Sequence, residues 1–477
     1  MTTADTARGP ARAPGRALLL SLSMAQFMVV LDFTIVNVAL PSIQRAFHIA
    51  TSKSQWLVTA YAVSFGGFLL LGGRLADVAG RAKLYRIGLV VFVAASVSGG
   101  LAADPGLLIA SRIVQGVGAA LLAPAGLSLL VTSWPDEKGR ARALGVYGAV
   151  VSAGFAAGAV LGGALVEATW RLVFFVNAPI GAVLLVSSWR LLAPDTPAGG
   201  RHADLGGAVS VTAGVAMLVL AVSRAGDTLQ VTEPAVLTVI AAVLLGAFVA
   251  HERRAVSPLV DLALFKDRRV LGANLSILGM GAIIGGEALV LTLYLQVGRG
   301  LSALITGLCF VPQAIGAFAL SGPASRLVPA LGPRRVLAFG MALGVVALAG
   351  AGLAIGAGSL IGVLAAVFLI GMVSRLVQVA GTLAGTSGPV AARSEGTASA
   401  LLTATRQSGA ALGVAILSAM LAATPGTSAH RTEVALFVAA GFAMAALLST
   451  LVVPPGEVAH PRAPLEHRFI HHAGGLP

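Results

Sequence analysis

Five ionisable side chains stand inside long apolar runs of this 477-residue chain: Asp32, Arg112, Glu287, Arg375 and Arg406. Within hydrocarbon a charge costs about 2.5–3.5 kcal/mol on insertion scales, so a charge kept there is a functional candidate. A carboxylate so placed can carry a proton. Burial and a neighbouring guanidinium pull its proton affinity in opposite directions, which lets it titrate in a useful range. Asp32 lies nine residues before Pro41, and Arg112 six residues after Gly106. At about 1.5 Å per helical residue these are depths of about 13 Å and 9 Å from one membrane face, so the two can meet in one half of the bilayer. Asp32 is the candidate proton-coupling carboxylate, with Arg112 as its tuning partner. The alternative is a permanent ion pair that only locks two helices. Glu287, within Gly285-Gly286-Glu287, suits a second proton site or a cation contact, or a partner for a basic residue. Arg375 suits an anionic or carbonyl-bearing substrate, or an ion pair with an acid such as Glu287. Arg406 suits a structural link to loop or helix-end carbonyls.

The elements that position these charges follow from composition. The chain is 57% hydrophobic and 11% charged, whereas a soluble domain carries about 25% charged residues. That excludes an ordinary soluble enzyme and a disordered chain. A lone cysteine, Cys309, excludes an intrachain disulfide framework and a thiolate metal cluster. Fourteen segments are apolar for about 20 residues, the length that crosses a bilayer. They run over 17–40, 54–73, 84–103, 106–131, 142–166, 172–190, 204–223, 234–250, 270–297, 302–324, 335–355, 359–388, 396–422 and 433–453. The first is too long for a signal peptide and holds Asp32, so it reads as a retained span that Pro41 ends. The expected fold is an all-α polytopic membrane protein.

Orientation follows from the basic residues. With the N-terminus in the cytoplasm, 23 of the 32 Lys and Arg fall on the inner side. Six fall outside: Arg45, Lys53, Arg171, Arg224, Arg299 and Arg431. This bias places both termini inside a cell membrane. It also explains the net charge of +13 without nucleic acid, because the charge is spread over many short loops. All eight His lie outside the expected spans, and four of them (His460, His467, His471, His472) fall in the C-terminal tail. Neither a metal site nor a cofactor is expected, and no nucleotide-binding motif is present.

The chain repeats itself. Gly72-Gly73-Arg74 through Gly80-Arg81 follows span 2, and Gly322-Pro323 through Gly332-Pro333-Arg334-Arg335 follows span 10. Both read as tight turns with Gly at a helix end and basic residues after it. Spans 1–6 and 9–14 then form two six-helix halves, and spans 7–8 an insertion. The expected division is a tail at 1–16, a first half at 17–192, inserted helices at 203–250, a second half at 269–453 and a tail at 454–477.

Gly73-x-Leu75-Ala76-Asp77-x-x-Gly80-Arg81 resembles the loop 2–3 signature of the major facilitator superfamily. Leu31-Asp32-Phe33-Thr34-Ile35-Val36-Asn37-Val38-Ala39-Leu40-Pro41 resembles the span 1 signature of its fourteen-helix drug:proton antiporters. Ser111-Arg112-Ile113-Val114-Gln115-Gly116 resembles the span 4 signature, and Trp170-Arg171 through Asn177-Ala178-Pro179-Ile180-Gly181 the stretch entering span 6. The span 5 signature, close to GPxxGG, is met by Gly158, Gly162 and Gly163, but Ala159 replaces its Pro. That departure keeps symport or uniport open.

The resemblance implies two six-helix halves plus two inserted central helices, with spans 1, 4, 9 and 12 around a cavity. Asp32, Arg112, Glu287 and Arg375 fall one on each. It implies proton-driven export of small amphiphilic compounds, including antibiotics, by a monomer that alternates between two faces of the membrane. Phe27, Asn37, Tyr61, Gln115, Gln296 and Arg375 are candidates to line the cavity, with Gln26, Thr34, Gln313 and Gln378 as further polar positions. Gly73, Asp77, Gly80 and Arg81 form the expected conformational latch. Gly158, Gly162, Gly163 and Arg406 are expected to serve helix packing. A receptor or scaffold that transports nothing is the alternative from another class, and costly buried charge argues against it.

Overall fold

The computed structural model describes residues 15–134, 136–192, 204–227, 232–255, 258–387 and 395–454. The chain tails, including the four tail histidines, and Arg393 lie outside the described residues, as does the whole 193–203 segment. Among the described residues there is no strand. The first six spanning helices are α1 (Arg16–Phe47), α2 (Trp56–Ala79), α3 (Arg81–Gly100), α4 (Pro105–Ser133), α5 (Glu137–Ala168) and α6 (Asn177–Leu191, entered through Leu172–Phe175). Next come α7 (Leu205–Asp227) and α8 (Thr232–Glu252). The last six are α9 (Arg268–Leu293, prolonged to Gly298), α10, α11 (Pro333–Gly356), α12 (Leu360–Thr386), α13 (Glu395–Ala423) and α14 (Ser428–Ser449).

Helix α10 departs from the expected single span 302–324. It consists of Ala303–Cys309, Val311–Ala319 and Ser321–Leu331, with a bend of 45° at Leu320. The cause is proline. Pro312 and Pro323 have no N–H for the carbonyls of Leu308 and Ala319, and each ring crowds the turn before it. Among the described residues thirteen helices are individually long and apolar enough to cross a membrane, and the bent pair raises the number to fourteen.

Two further expectations are corrected. Pro41 does not end α1, which continues to Phe47. The freed backbone is tolerated inside a packed membrane bundle, and the helix stops only at His48, whose φ of 50° is left-handed. Asp32 therefore sits near the middle of α1, about 22 Å from its far end at 1.5 Å per residue, because α1 runs on past Pro41. The expected loop 74–83 is also almost entirely helical. Only Gly80 interrupts it, at φ 95° and ψ 133°. Gly332 makes the matching turn between α10 and α11 at φ 83° and ψ 148°. L side chains rarely adopt this backbone, so the repeat seen in the sequence reduces to two glycine hinges of one geometry.

One apolar core gathers residues from Leu22 to Leu192 with Ala404. Another gathers residues from Ala273 to Val453 with Ala159. Helix α7 lies where α2 meets α13, packing Val219 with Ala62, Val63, Ala411 and Ala415. Helix α8 stands outside it, its apolar face almost wholly exposed, which suits lipid contact.

The bundle has a basic end, where Gly80 and Gly332 turn, and an opposite end. One face of α5 shows how the two sets of six helices sit. Gly163 abuts the backbone of Ala303 and Leu304, and Gly307 abuts the carbonyl of Ala159. These contacts pinch α5 against α10 toward the opposite end. About four to five turns nearer the basic end, on the same face, Gly145 meets open space. On this face the two sets of helices touch toward one end and leave room toward the other, while α2 and α13 stay packed, with Gly66 against Ala404 and Gln407.

Gly73 and Gly80 belong to one motif yet should respond differently to alanine. Gly80→Ala forces a Cβ onto a glycine-only backbone, at a cost of about 1–3 kcal/mol. Gly73 is helical, and a Cβ there would meet only Pro124, at 4.0 Å, so Gly73→Ala should gain about 0.5–1 kcal/mol of helix propensity. Thermal unfolding in detergent checks both, and a Gly80→Ala protein as stable as the parent would sink the hinge argument.

Candidate functional site

Helix α4 carries Arg112 and Gln115 three residues apart, on one face. Gly116 beside them allows contact with α2, because a Cβ there would collide with Ser64 and the Tyr61 carbonyl. This close approach lays the Arg112 guanidinium 4.3 Å above the Tyr61 ring. It also lets Arg112 Nε donate to the Leu57 carbonyl at 2.8 Å. Tyr61 is further held by its hydroxyl, which donates to the Val29 carbonyl at 3.4 Å.

Asp32 faces this cation from α1. Arg112 Nη1 donates to Asp32 Oδ2 at 2.6 Å and to Gln115 Oε1 at 2.6 Å. Asp32 Oδ1 accepts from Gln115 Nε2 and from Asn177 Nδ2, each at 2.8 Å. Asn177 Nδ2 also donates to Ser96 Oγ at 3.0 Å, and Ser96 donates to the Phe174 carbonyl at 2.8 Å. Both charged side chains are 0% exposed. A buried pair offsets its desolvation only when the geometry is good and the remaining lone pairs are bonded. Five helices of the first half supply those bonds here.

Asn177 and Ser96 were not among the expected site residues. Asn177 carried a signal, an amide in an apolar stretch two residues before Pro179. Ser96 carried none, because a small hydroxyl residue is ordinary in a membrane helix.

The second half is arranged differently. Glu287 is also wholly buried, and Gln313 Nε2 donates to its Oε2 at 3.2 Å. Its Oε1 and the Gln313 Oε1 are buried without a partner among the described residues. Arg375 does not pair with Glu287; the buried Arg375 Nε has no partner among the described residues either. Its Nη2 lies 3.9 Å from where a Cβ on Gly148 of α5 would stand, so the side chain reaches from α12 across to the first half. Arg406 does not bond carbonyls as expected. It makes no hydrogen bond or ion pair with a described residue, and its own carbonyl is what Gly281 packs against.

The remaining candidates fall in several places. Tyr61 and Gln115 belong to the Asp32 cluster. Asn37 Nδ2 folds back to the Phe33 carbonyl at 2.9 Å. Gln296 Nε2 donates to the Val38 carbonyl at 2.9 Å, joining α9 to α1 toward the opposite end. Gln55, near that end, donates to Ser223 at 2.5 Å and accepts from Ser418. Phe27 is half-buried and packs on Gly154. Gly158 and Gly162 seat α5 on Leu31, Thr34 and Ile35 of α1, and α5 contains no proline. At the basic end, Arg81 Nη2 lies 3.4 Å from Asp77 Oδ1 across the Gly80 turn, both side chains partly exposed. Arg74 donates to the Pro258 carbonyl at 2.5 Å.

Removing one member of the buried pair should cost more stability than removing both. Arg112→Met leaves Asp32 without its cation and should lose about 3–5 kcal/mol, whereas Asp32→Leu with Arg112→Met should recover most of it. Unfolding midpoints in detergent decide this, and a single variant no weaker than the double one would contradict it.

Residues 22–414 match the family model of the Major Facilitator Superfamily. The chain is 37% identical to the puromycin resistance protein of Streptomyces alboniger over 91% of its own length and 90% of that protein. It is 39% identical to the cephamycin export protein of Amycolatopsis lactamdurans, covering 88% and 87% of the two chains. Among solved structures, a bacterial homologue of the human lysosomal transporter Spinster, inward-facing and occupied, aligns with a TM-score of 0.69 at 15% identity. That match covers 93% of this chain and 97% of the other. An auto-inhibited POT family peptide transporter aligns at a TM-score of 0.67 and 18% identity, covering 94% and 98%. With its fourteen-helix architecture and buried charge cluster, the chain belongs to the Major Facilitator Superfamily, as a multi-pass membrane protein of a transporter family.

Proposed function

We propose that this protein exports small amphiphilic compounds, antibiotics among them, in exchange for protons. The observation that carries the reading is Asp32, a carboxylate buried within the bundle and held by Arg112, Gln115 and Asn177. The names of the relatives, puromycin resistance and cephamycin export, support export over import. The basic end is assigned to the cytoplasm, with both termini there, because cytoplasmic loops carry the excess of Lys and Arg. The described arrangement, closed at the opposite end, is then the inward-facing one. The cycle uses no cofactor and one chain.

In this reading a proton from outside neutralises Asp32. The neutral acid no longer balances Arg112, and the helices around the pair rearrange. Release of the proton to the cytoplasm restores the ion pair and the inward-facing arrangement. Asp77 and Arg81, beside the Gly80 hinge, bias which arrangement the basic end prefers.

Proteoliposomes with an imposed pH gradient test the proposal, with ethidium, chloramphenicol and fusidate as probes. Probe and proton should move in opposite directions. Asp32→Asn should abolish gradient-driven accumulation yet retain probe–probe exchange, because neutral cycling needs no titration. Coflow of probe and proton would replace antiport by symport, and undiminished gradient dependence in Asp32→Asn would remove Asp32 from the coupling role.

A further inference from the structure

Two guanidiniums are left over by the proton site. Arg375 lies eleven residues before the end of α12, and Arg406 eleven residues after the start of α13. At 1.5 Å per residue both stand about 16 Å from the basic end. Gly148 lies eleven residues into α5, at the same depth. The membrane-embedded acids are both taken: Asp32 is enclosed with Arg112, and Glu287 lies behind Gln313, each 0% exposed. Arg375 and Arg406 are both half-buried. The charge at mid-depth on the sides that remain partly open is therefore positive.

The geometry at Arg375 is more specific. Its buried Nε has no partner among the described residues, and its Nη2 lies 3.9 Å from where a Cβ on Gly148 would stand. One turn toward the basic end, Gly145 meets open space. The Nε–Nη2 edge of a guanidinium is one of the two edges that grip a carboxylate through paired N–H donors. Here that edge lies beside Gly148, next to the open space at Gly145 of the other half.

We infer that this edge is the polar anchor for the substrate, and that the preferred substrate class is an amphiphilic organic anion bearing a carboxylate or a similar planar oxyanion. The inference rests on the export reading and narrows it. Arg406 at the same depth adds positive potential, which favours an anion and opposes a cation. An anion leaving a negative cytoplasm also moves down the membrane potential, so its export draws on both parts of the proton-motive force.

The test is uptake into everted membrane vesicles bearing the full chain, energised with an acid, positive interior. The probes are fusidate, a carboxylate, and ethidium, a permanent cation. The parent protein should accumulate fusidate. Arg375→Gln should lower the ratio of fusidate to ethidium uptake roughly tenfold, the loss of one charge-assisted contact, and Arg375→Lys should restore part of it. Gly148→Val keeps both guanidiniums but fills the space before Nη2, so it should shift the ratio the same way. A ratio unchanged in both Arg375→Gln and Gly148→Val, or a parent that moves ethidium and not fusidate, overturns the anion anchor while leaving export standing. A parent that moves neither probe overturns the export reading and the substrate class together.

Discussion

An ion pair in hydrocarbon sets the terms for everything around it. Asp32 and Arg112 lie in the middle of a bundle where no solvent can compensate an unmet lone pair, so the protein must supply every partner itself. The local structure of the first half follows from that demand. Helix α4 approaches α2 at Gly116 because Arg112 needs the Leu57 carbonyl and the Tyr61 face. The entry to α6 turns at Val176 between Leu172–Phe175 and Asn177–Leu191. There Asn177 reaches the second oxygen of the carboxylate, and the Phe174 carbonyl accepts from Ser96. Replace the charges by leucine and none of these irregularities has a purpose.

Small residues then decide where the halves can touch. Gly163 against Ala303, and Gly307 against Ala159, bring two backbones into direct contact. Such contacts are short-ranged, since dispersion fades within about an ångström of added separation. They are made or lost as a unit, which suits a rocking element with two states better than one that bends continuously. The Gly80 and Gly332 turns, one in each half, are connections of a single glycine with one backbone geometry.

The parts that were legible in the sequence are those written in length, period and cost. Apolar runs of about 20 residues revealed the spans, and charges inside them revealed the site, because hydrocarbon makes both requirements strict. Depth counting brought Asp32 to Arg112 even though it misplaced the end of α1. The failures share a cause. Pro41 reads as a helix stop and the bend within α10 has no counterpart in the expected single span 302–324, yet only packing decides whether a proline breaks a membrane helix. Arg375 was offered Glu287 as a partner because both are charged. Side-chain direction sends Arg375 toward α5 and Glu287 toward Gln313, and no spacing rule carries that information. Ser96 was invisible because its role depends on a carbonyl freed 78 residues later.

The arrangement around Asp32 also explains why a proton there should move helices. Arg112 Nη2 is already buried without a partner. While Asp32 is ionised, the pair is neutral and three amide or guanidinium donors converge on its carboxylate. Protonation removes the negative charge but not the positive one, and it converts one acceptor into a donor among groups placed to donate. An unbalanced guanidinium in this setting costs several kcal/mol, comparable to the gap between two conformations of a switching protein. Holding the arrangement fixed would put the whole cost on the protonated state. In the proposed cycle the protonated acid moves the bundle to whichever arrangement gives Arg112 new acceptors or water. Coupling would then require no separate relay, because the charge that takes the proton would be the same charge that holds the helices together.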